Sequence, residues 1–215
     1  MRLTTITHVS VDGVMQGLGG PEEDRQDGFE RAGWALPLFD DDAEAFLGEI
    51  FERADAFLLG RRTYESFAGS WGAIEEMADS PIGRALNARP KYLVSATLTD
   101  PRWTATTVLS GDLATAVRDL RNGPAGELQV HGSLTLVRWL LHNRLVDEIT
   151  LLTYPVIVGQ GARLFPDTGP DAALDLVDSR TFPNGITSRV YRPAGSPQYA
   201  GGTADADHAG FADTP

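Results

Sequence analysis

Apolar and polar side chains alternate through Leu3-Thr-Thr-Ile-Thr-His-Val-Ser-Val11, the period-two pattern of a β-strand, and the turn pair Asp12-Gly13 closes it. Further along, Ala43, Phe46, Leu47, Ile50, Phe51 and Ala54 recur at helical spacing behind Asp40, Asp41 and Asp42, any of which can cap that helix. Ala56–Leu59 predicts a strand, followed by Gly60 and a short helix over Arg61–Phe67. Pro81 opens a helix to Ala88; Lys91–Ser95 and Val108–Leu109 read as strands, Asp112–Arg121 as a helix and Leu128–Val130 as a strand. A helix over Ser133–His142 follows Gly132. Such alternation predicts an α/β fold with a largely parallel sheet, because each helix is the crossover between neighbouring strands. Past Val146 the helical pattern stops. Ile149–Val158 and Ala173–Phe182 are long β patterns, and Pro183-Asn184-Gly185 is a hairpin turn before Ile186–Tyr191. The sheet is therefore expected to be mixed, with antiparallel strands at its C-terminal edge.

Residues 1–193 read as one domain, with a Gly-rich acidic loop over 17–33. From Ala194 the chain turns to Gly, Ala, Asp, Ser, Thr and Pro, with Tyr199 and Phe211 as the large apolar groups. That is too little apolar surface to offset ordering entropy, so 194–215 is expected to be a flexible tail. The first residues lack the apolar core of a signal peptide, and no run approaches the roughly 18 apolar residues that span a bilayer. A cytoplasmic protein with no membrane partner is expected. Cysteine is absent, which removes disulfides, thiol nucleophiles and cysteine-based metal sites. The four histidines show no metal-ligand spacing with one another or with acids, so no metal site is expected.

The 215 residues carry 30 acidic and 18 basic side chains, a formal charge of −12. Such a balance repels nucleic-acid backbones and anionic lipids, so neither is an expected partner. Its distribution changes the picture. Residues 22–55 hold nine net negative charges and the tail three, while the other 159 residues are balanced. A charge run is ordinarily a solvated face or loop. Beside a substrate cleft, where this one is expected, it disfavours anionic substrates more than it disfavours a phosphate-bearing cofactor bound elsewhere.

In an open α/β sheet ligands bind at the carboxyl ends of the strands, which singles out three junctions. At Leu59-Gly60-Arg61-Arg62-Thr63 a glycine allows close backbone approach, the helix start presents free N–H groups and two arginines add positive charge. Those arginines equally suit solvent or a pair with Glu65. At His131-Gly132-Ser133-Leu134-Thr135 the pattern repeats, although Ser133 also fits an ordinary N-cap. At Val94-Ser95-Ala96-Thr97 hydroxyls end a strand, ready for a phosphate oxygen or for a turn. Together they suggest one nucleotide seen from three strand ends. Asp12 at the end of the first strand could donate a proton to a substrate, while by pattern alone Asp-Gly is more often just a turn.

The segments Ile6–Gly13, Phe57–Glu65 and Val130–Ser133 resemble the dihydrofolate reductase superfamily. Leu145–Ile149 with Tyr154-Pro-Val-Ile-Val-Gly-Gln-Gly-Ala-Arg-Leu-Phe165 resembles its branch that holds the riboflavin-pathway pyrimidine reductase domain. The resemblance implies a three-layer fold and a reductase that passes hydride from NADPH to a C=N or C=O of a small pterin- or pyrimidine-like heterocycle. It further implies that Gly60, Arg61, Arg62 and Thr63 meet the cofactor phosphates and that Ser95 and Thr97 lie on the adenosine 2′-phosphate side. Gly132, Ser133 and Leu134 would meet the pyrophosphate and nicotinamide, and Pro155, Gly159 and Gly161 would close over the cofactor. By the same resemblance Asp12 is the catalytic candidate, Met15 and Trp34 are substrate lining, and the protein is a homodimer. Val14 stands where the riboflavin reductases carry lysine, which argues against a phosphoribosyl substrate. A nucleotide-binding module without turnover and a flavin-binding oxidoreductase are the alternatives.

Overall fold

The computed structural model describes residues 1–20 and 28–200. One eight-stranded sheet runs through it, built from β1 (Arg2–Ser10), β2 (Ala56–Gly60), β3 (Lys91–Val94), β4 (Thr106–Leu109), β5 (Glu127–His131), β6 (Glu148–Tyr154), β7 (Leu174–Thr181) and β8 (Thr187–Pro193). Its order is β4-β3-β2-β5-β1-β6-β8-β7. From β4 to β6 all pairs are parallel; β8 and then β7 add antiparallel at the edge, as the sequence pattern predicts.

Helices cover both faces. Period-two alternation sends Leu3, Val9, Leu58, Leu128 and Val130 to the face covered by α5 (Leu113–Asn122) and α6 (Leu134–His142). Ile6, Leu152 and Tyr154 face α1 (Asp41–Glu52) from the other side, and Phe57, Leu59 and Leu93 join Phe51 of α1 and Leu86 of α4 (Pro81–Ala88) there. Between β2 and β3, ahead of α4, lie α2 (Arg61–Gly69) and a single turn, α3 (Glu75–Ala78). That turn and a 3₁₀ turn at Leu36–Leu38 are too short to leave a periodicity in the sequence.

Two boundaries differ from expectation. The strand pattern over Ile149–Val158 stops at Tyr154, because Pro155 has no N–H for the ladder. The supposed tail is tied at its start: Ala194 N–H donates to Ala173 O (2.8 Å), Ala173 N–H to Gly195 O (2.9 Å) and the Tyr199 hydroxyl to Asp171 (2.8 Å). Residues 201–215 lie outside the described residues.

A polar string runs through the α1 side of the core on alternate residues of β5. Arg2 and Thr4 bond Glu127, Gln129 Nε2 donates to Glu127 (2.8 Å) and to Ile50 O (2.7 Å), and Gln129 Oε1 meets His131 Nε2 at 2.9 Å. With its amide nitrogen committed, Gln129 offers His131 an acceptor only, so His131 carries its proton on Nε2. Its ring stacks on Phe51, 3.9 Å between centroids. Burial pushes its pKa down to about 3.

The unfolded chain, whose exposed imidazole titrates near 6.5, therefore takes up protons before the folded chain does. The sign is destabilising: stability falls as pH drops from about 6.5 towards 3 and is unaffected by this group above that interval. The urea midpoint is expected to fall across the accessible part of this range, less steeply in His131→Phe, which keeps the stack on Phe51. An equal slope in the variant contradicts a buried neutral imidazole.

Candidate functional site

The three junctions picked out in the sequence meet at the carboxyl edge of the parallel strands, joined by hydrogen bonds. Ser133 adopts the left-handed region (φ 58°) and does not cap α6. Instead its hydroxyl accepts from Gly60 N–H (3.0 Å) and donates to Thr63 Oγ1 (2.8 Å), tying the starts of α2 and α6 together. The capping reading of Ser133 is thereby corrected: the side chain is pulled across to the neighbouring helix. A Cβ on Gly60 would come to 3.3 Å from the Ser133 hydroxyl, and Gly132 (φ 55°) takes the left-handed turn out of β5. The third junction joins through Arg61, whose Nη1 donates to Thr97 Oγ1 (2.6 Å).

Capping separates these helices from the other helices of eight residues or more. Asp40, Ser80 and Asp112 accept first-turn N–H bonds of α1, α4 and α5, whereas neither α2 nor α6 has a side-chain cap. Two neighbouring helix starts without side-chain caps thus bring their positive partial charge to one edge. Arg61 also pairs with Glu65 (3.2 Å), both side chains about half exposed. An exposed pair of this kind is worth little, so it can be exchanged for a stronger anion. Ser95 is occupied otherwise: its hydroxyl accepts from Thr97 N–H (3.2 Å) and Leu98 N–H (2.9 Å) and shapes the turn.

Asp12 has a different environment from that of a proton donor. Its Oδ1 accepts from Ser10 Oγ (2.6 Å) and Val158 N–H (3.0 Å), and Oδ2 from Gly159 N–H (2.8 Å), with Arg163 at 3.6 Å. The Ser10 bond first, then those from Val158 and Gly159, lower its pKa to about 2. Ionised and saturated at neutral pH, Asp12 clips the loop after β6 across the end of β1. Arg163 Nε–H bonds Asp12 O, and Arg138 of α6 bonds the carbonyls of Arg163 and Leu164, so the loop reaches α6. Within it Gly161 (φ 101°) is needed for packing, since a Cβ would lie 2.6 Å from the Phe29 ring. Gly159 gives its N–H to Asp12, and exposed Pro155 lies beneath the hairpin turn at Gly185.

Met15 and Trp34 do not line one surface. Met15 packs with the α5–α6 cluster, whereas Trp34 joins the α1 side, edge-on to Tyr154 (5.5 Å, 89°), its Nε1–H donating to Gln16 O (2.8 Å). The alternating pattern gave no hint that Tyr154 and His8 meet: His8 Nδ1 lies 2.9 Å from the Tyr154 hydroxyl. A register of β1 with β6 was needed to find that pair, because Leu152 is the residue opposite His8 and Tyr154 the next on the same face. The acidic segment divides. Phe29 and Arg31 pack on the Asp12 loop, residues 22–27 lie outside the described residues, and the carboxylates of α1 are exposed on its outer face. The apolar stripe of α1 must face the sheet, which turns these carboxylates outward.

Among the described residues no group of three or more His, Cys, Asp or Glu could hold a metal ion, and no helix is long and apolar enough to cross a membrane.

A family model, the RibD C-terminal domain, matches residues 2–188. The uncharacterised protein YyaP of Bacillus subtilis (strain 168) is 25% identical over 188 residues, 85% of this chain and 90% of that protein. A proposed riboflavin biosynthesis protein from Shewanella sp. PV-4 superposes with a TM-score of 0.68 at 19% identity, covering 90% of this chain and 99% of that one. A pyrimidine reductase-like protein from Corynebacterium diphtheriae gives 0.59 at 14% identity, covering 89% and 91%. These two share the fold, which is the one the sequence resemblance implies.

Asp12→Asn replaces one acceptor oxygen by an amide that faces a backbone N–H. The expected cost is about 1–3 kcal/mol, that of losing charge-assisted hydrogen bonds, read as a lower Tm at neutral pH. Because the folded carboxyl titrates lower than the unfolded one, its contribution is present above about pH 4 and disappears towards pH 2, so the difference from wild type narrows over that range. An unchanged Tm near pH 7 shows that the clip contributes nothing.

Proposed function

We propose that this chain, which belongs to the RibD C-terminal domain family, is an NADPH-dependent oxidoreductase acting on a small heterocycle. The observation that carries the reading is the pair of uncapped helices, α2 and α6, tied together by Ser133 beside Arg61 and Thr97. Two adjacent helix starts without side-chain caps, with guanidinium groups and glycines that admit close approach, suit a diphosphate. The residues present therefore fit this cofactor.

Gly60, Arg61, Arg62 and Thr63 would hold phosphate from one side and Gly132, Ser133 and Leu134 from the other, with Ser95 and Thr97 towards the adenosine end. NADPH supplies the hydride when bound. Pro155, Gly159 and Gly161 belong to the loop that would shut the cofactor side, and its position depends on the Asp12 clip. Trp34 would line the substrate side with Tyr154. Asp12, ionised and fully bonded, positions this loop, which leaves proton delivery to solvent water. The resemblance in fold to a pyrimidine reductase-like protein and to a proposed riboflavin biosynthesis protein agrees with a reductase of this class.

A homodimer through β7 is part of the proposal. All eight residues of that edge strand are exposed, Leu174, Leu176 and Val177 among them, and an unpaired strand edge with exposed apolar side chains invites pairing.

Fluorescence titration is expected to show NADPH binding, weakened at least about tenfold in the Arg61→Ala, Arg62→Ala double variant, where charge-assisted bonds are lost. Unaltered affinity in that variant removes these side chains from the site. Sedimentation should give twice the chain mass, and Leu176→Lys should give a monomer; a monomeric wild type rejects the dimer.

A further inference from the structure

β1 lies in the middle of the sheet with helices on both faces, and from Leu3 to Ser10 every residue is buried except His8. The exception has a cause in the register. β5 accompanies β1 as far as the Ile6–His131 pair and then leaves through Gly132 into α6, while β6 continues to the Ser10–Tyr154 pair. His8 thus stands two residues beyond the last β5 partner, on the flank that β5 has vacated. Its side chain shares the α1 side of the sheet with Ile6 and Tyr154.

The hydrogen bond at Nδ1 fixes the state of the ring. Tyr154 is 1% exposed, and its hydroxyl has no other partner among the described residues. Were His8 to donate from Nδ1, the phenolic proton would be buried without an acceptor, a cost of about 1–3 kcal/mol. Burial also raises the Tyr154 pKa, and partial desolvation lowers that of His8, so the phenol keeps its proton and the imidazole is neutral. Tyr154 therefore donates to Nδ1, and His8 carries its one proton on Nε2. Nε2 has no partner among the described residues. Tyr154 is itself held by the edge of Trp34, which is anchored to Gln16 O.

We propose that His8 is a specificity-determining residue whose Nε2–H donates to a carbonyl oxygen of the heterocyclic substrate, and that Tyr154 is the positioning residue that fixes this polarity. The inference rests on the reading of this edge as a reductase site. It narrows the substrate class to heterocycles presenting an acceptor at that point. A ring presenting an N–H or amino group there would set donor against donor. A neutral imidazole also imposes no requirement for an anionic substrate.

Pterin and 2,4-diaminopteridine test this, since the first presents a 4-carbonyl acceptor beside N3–H and the second an amino donor in its place and no carbonyl at all. With NADPH present, the wild-type protein is expected to bind pterin about tenfold more tightly, the worth of one hydrogen bond. His8→Phe should erase that preference and leave the NADPH affinity unchanged. Tyr154→Phe keeps the ring and removes the hydroxyl, and it should reduce the preference. Long-range ¹H–¹⁵N spectra of histidine-labelled protein should show His8 protonated on Nε2 alone in the wild type and as a tautomer mixture in Tyr154→Phe, a change that a merely structural role of the hydroxyl would not produce. Equal affinity for the two pteridines, failure of both to bind a protein that binds NADPH, or a His8 protonated on Nδ1 overturns the assignment. Failure to bind NADPH overturns instead the cofactor reading on which it rests.

Discussion

The parting of β5 from β1 after the Ile6–His131 pair is the constraint on which the candidate site depends. Two adjacent parallel strands normally stay paired to their ends, because each unpaired backbone group must otherwise find water or another partner. Here β1 runs on with β6 alone, and Gly132 and Ser133, both left-handed, turn the chain into α6. The opening this leaves brings His8 towards solvent in a strand otherwise sealed, and it places the first turn of α6 beside that of α2. The end of β1 needs other support, and Asp12 provides it by binding the backbone of Val158 and Gly159.

Charge follows the same geometry. Asp40, Ser80 and Asp112 close the starts of α1, α4 and α5, while the two at the opening have no side-chain cap and are tied to each other through a single serine hydroxyl. The chain is strongly acidic as a whole, yet the carboxylates of α1 point away from the sheet, and that of Asp12 is spent on loop backbone. A net charge of −12 therefore says little about the field at this edge.

Much of this was legible in the sequence. Strand and helix periods gave the alternating order, Asn184-Gly185 gave the hairpin, and Gly60 and Gly132 marked two junctions that the fold does bring together. Local chemistry at Asp12-Gly13 correctly read as a turn, but nothing local showed that the carboxylate would be saturated by residues some 146 positions away. Ser133 misled for the same reason: a serine before a helix ordinarily caps it, and only a neighbouring helix 70 residues distant supplies the competing partner. Met15 and Trp34, both read as lining one cleft, pack instead in different clusters, Met15 on the α5–α6 side and Trp34 on the α1 side.

What the sequence determined is what short-range physics controls: which segments are strands or helices, which side of each is apolar, and where glycine permits a sharp turn. Strand order and register were left to the tertiary structure, because they are settled by packing among residues distant in the chain. The pairing of His8 with Tyr154 is of that kind. Alternation shows that each side chain faces one side of its own strand, but only the register of β1 on β6 brings the imidazole within 2.9 Å of the phenol and so fixes which nitrogen carries the proton.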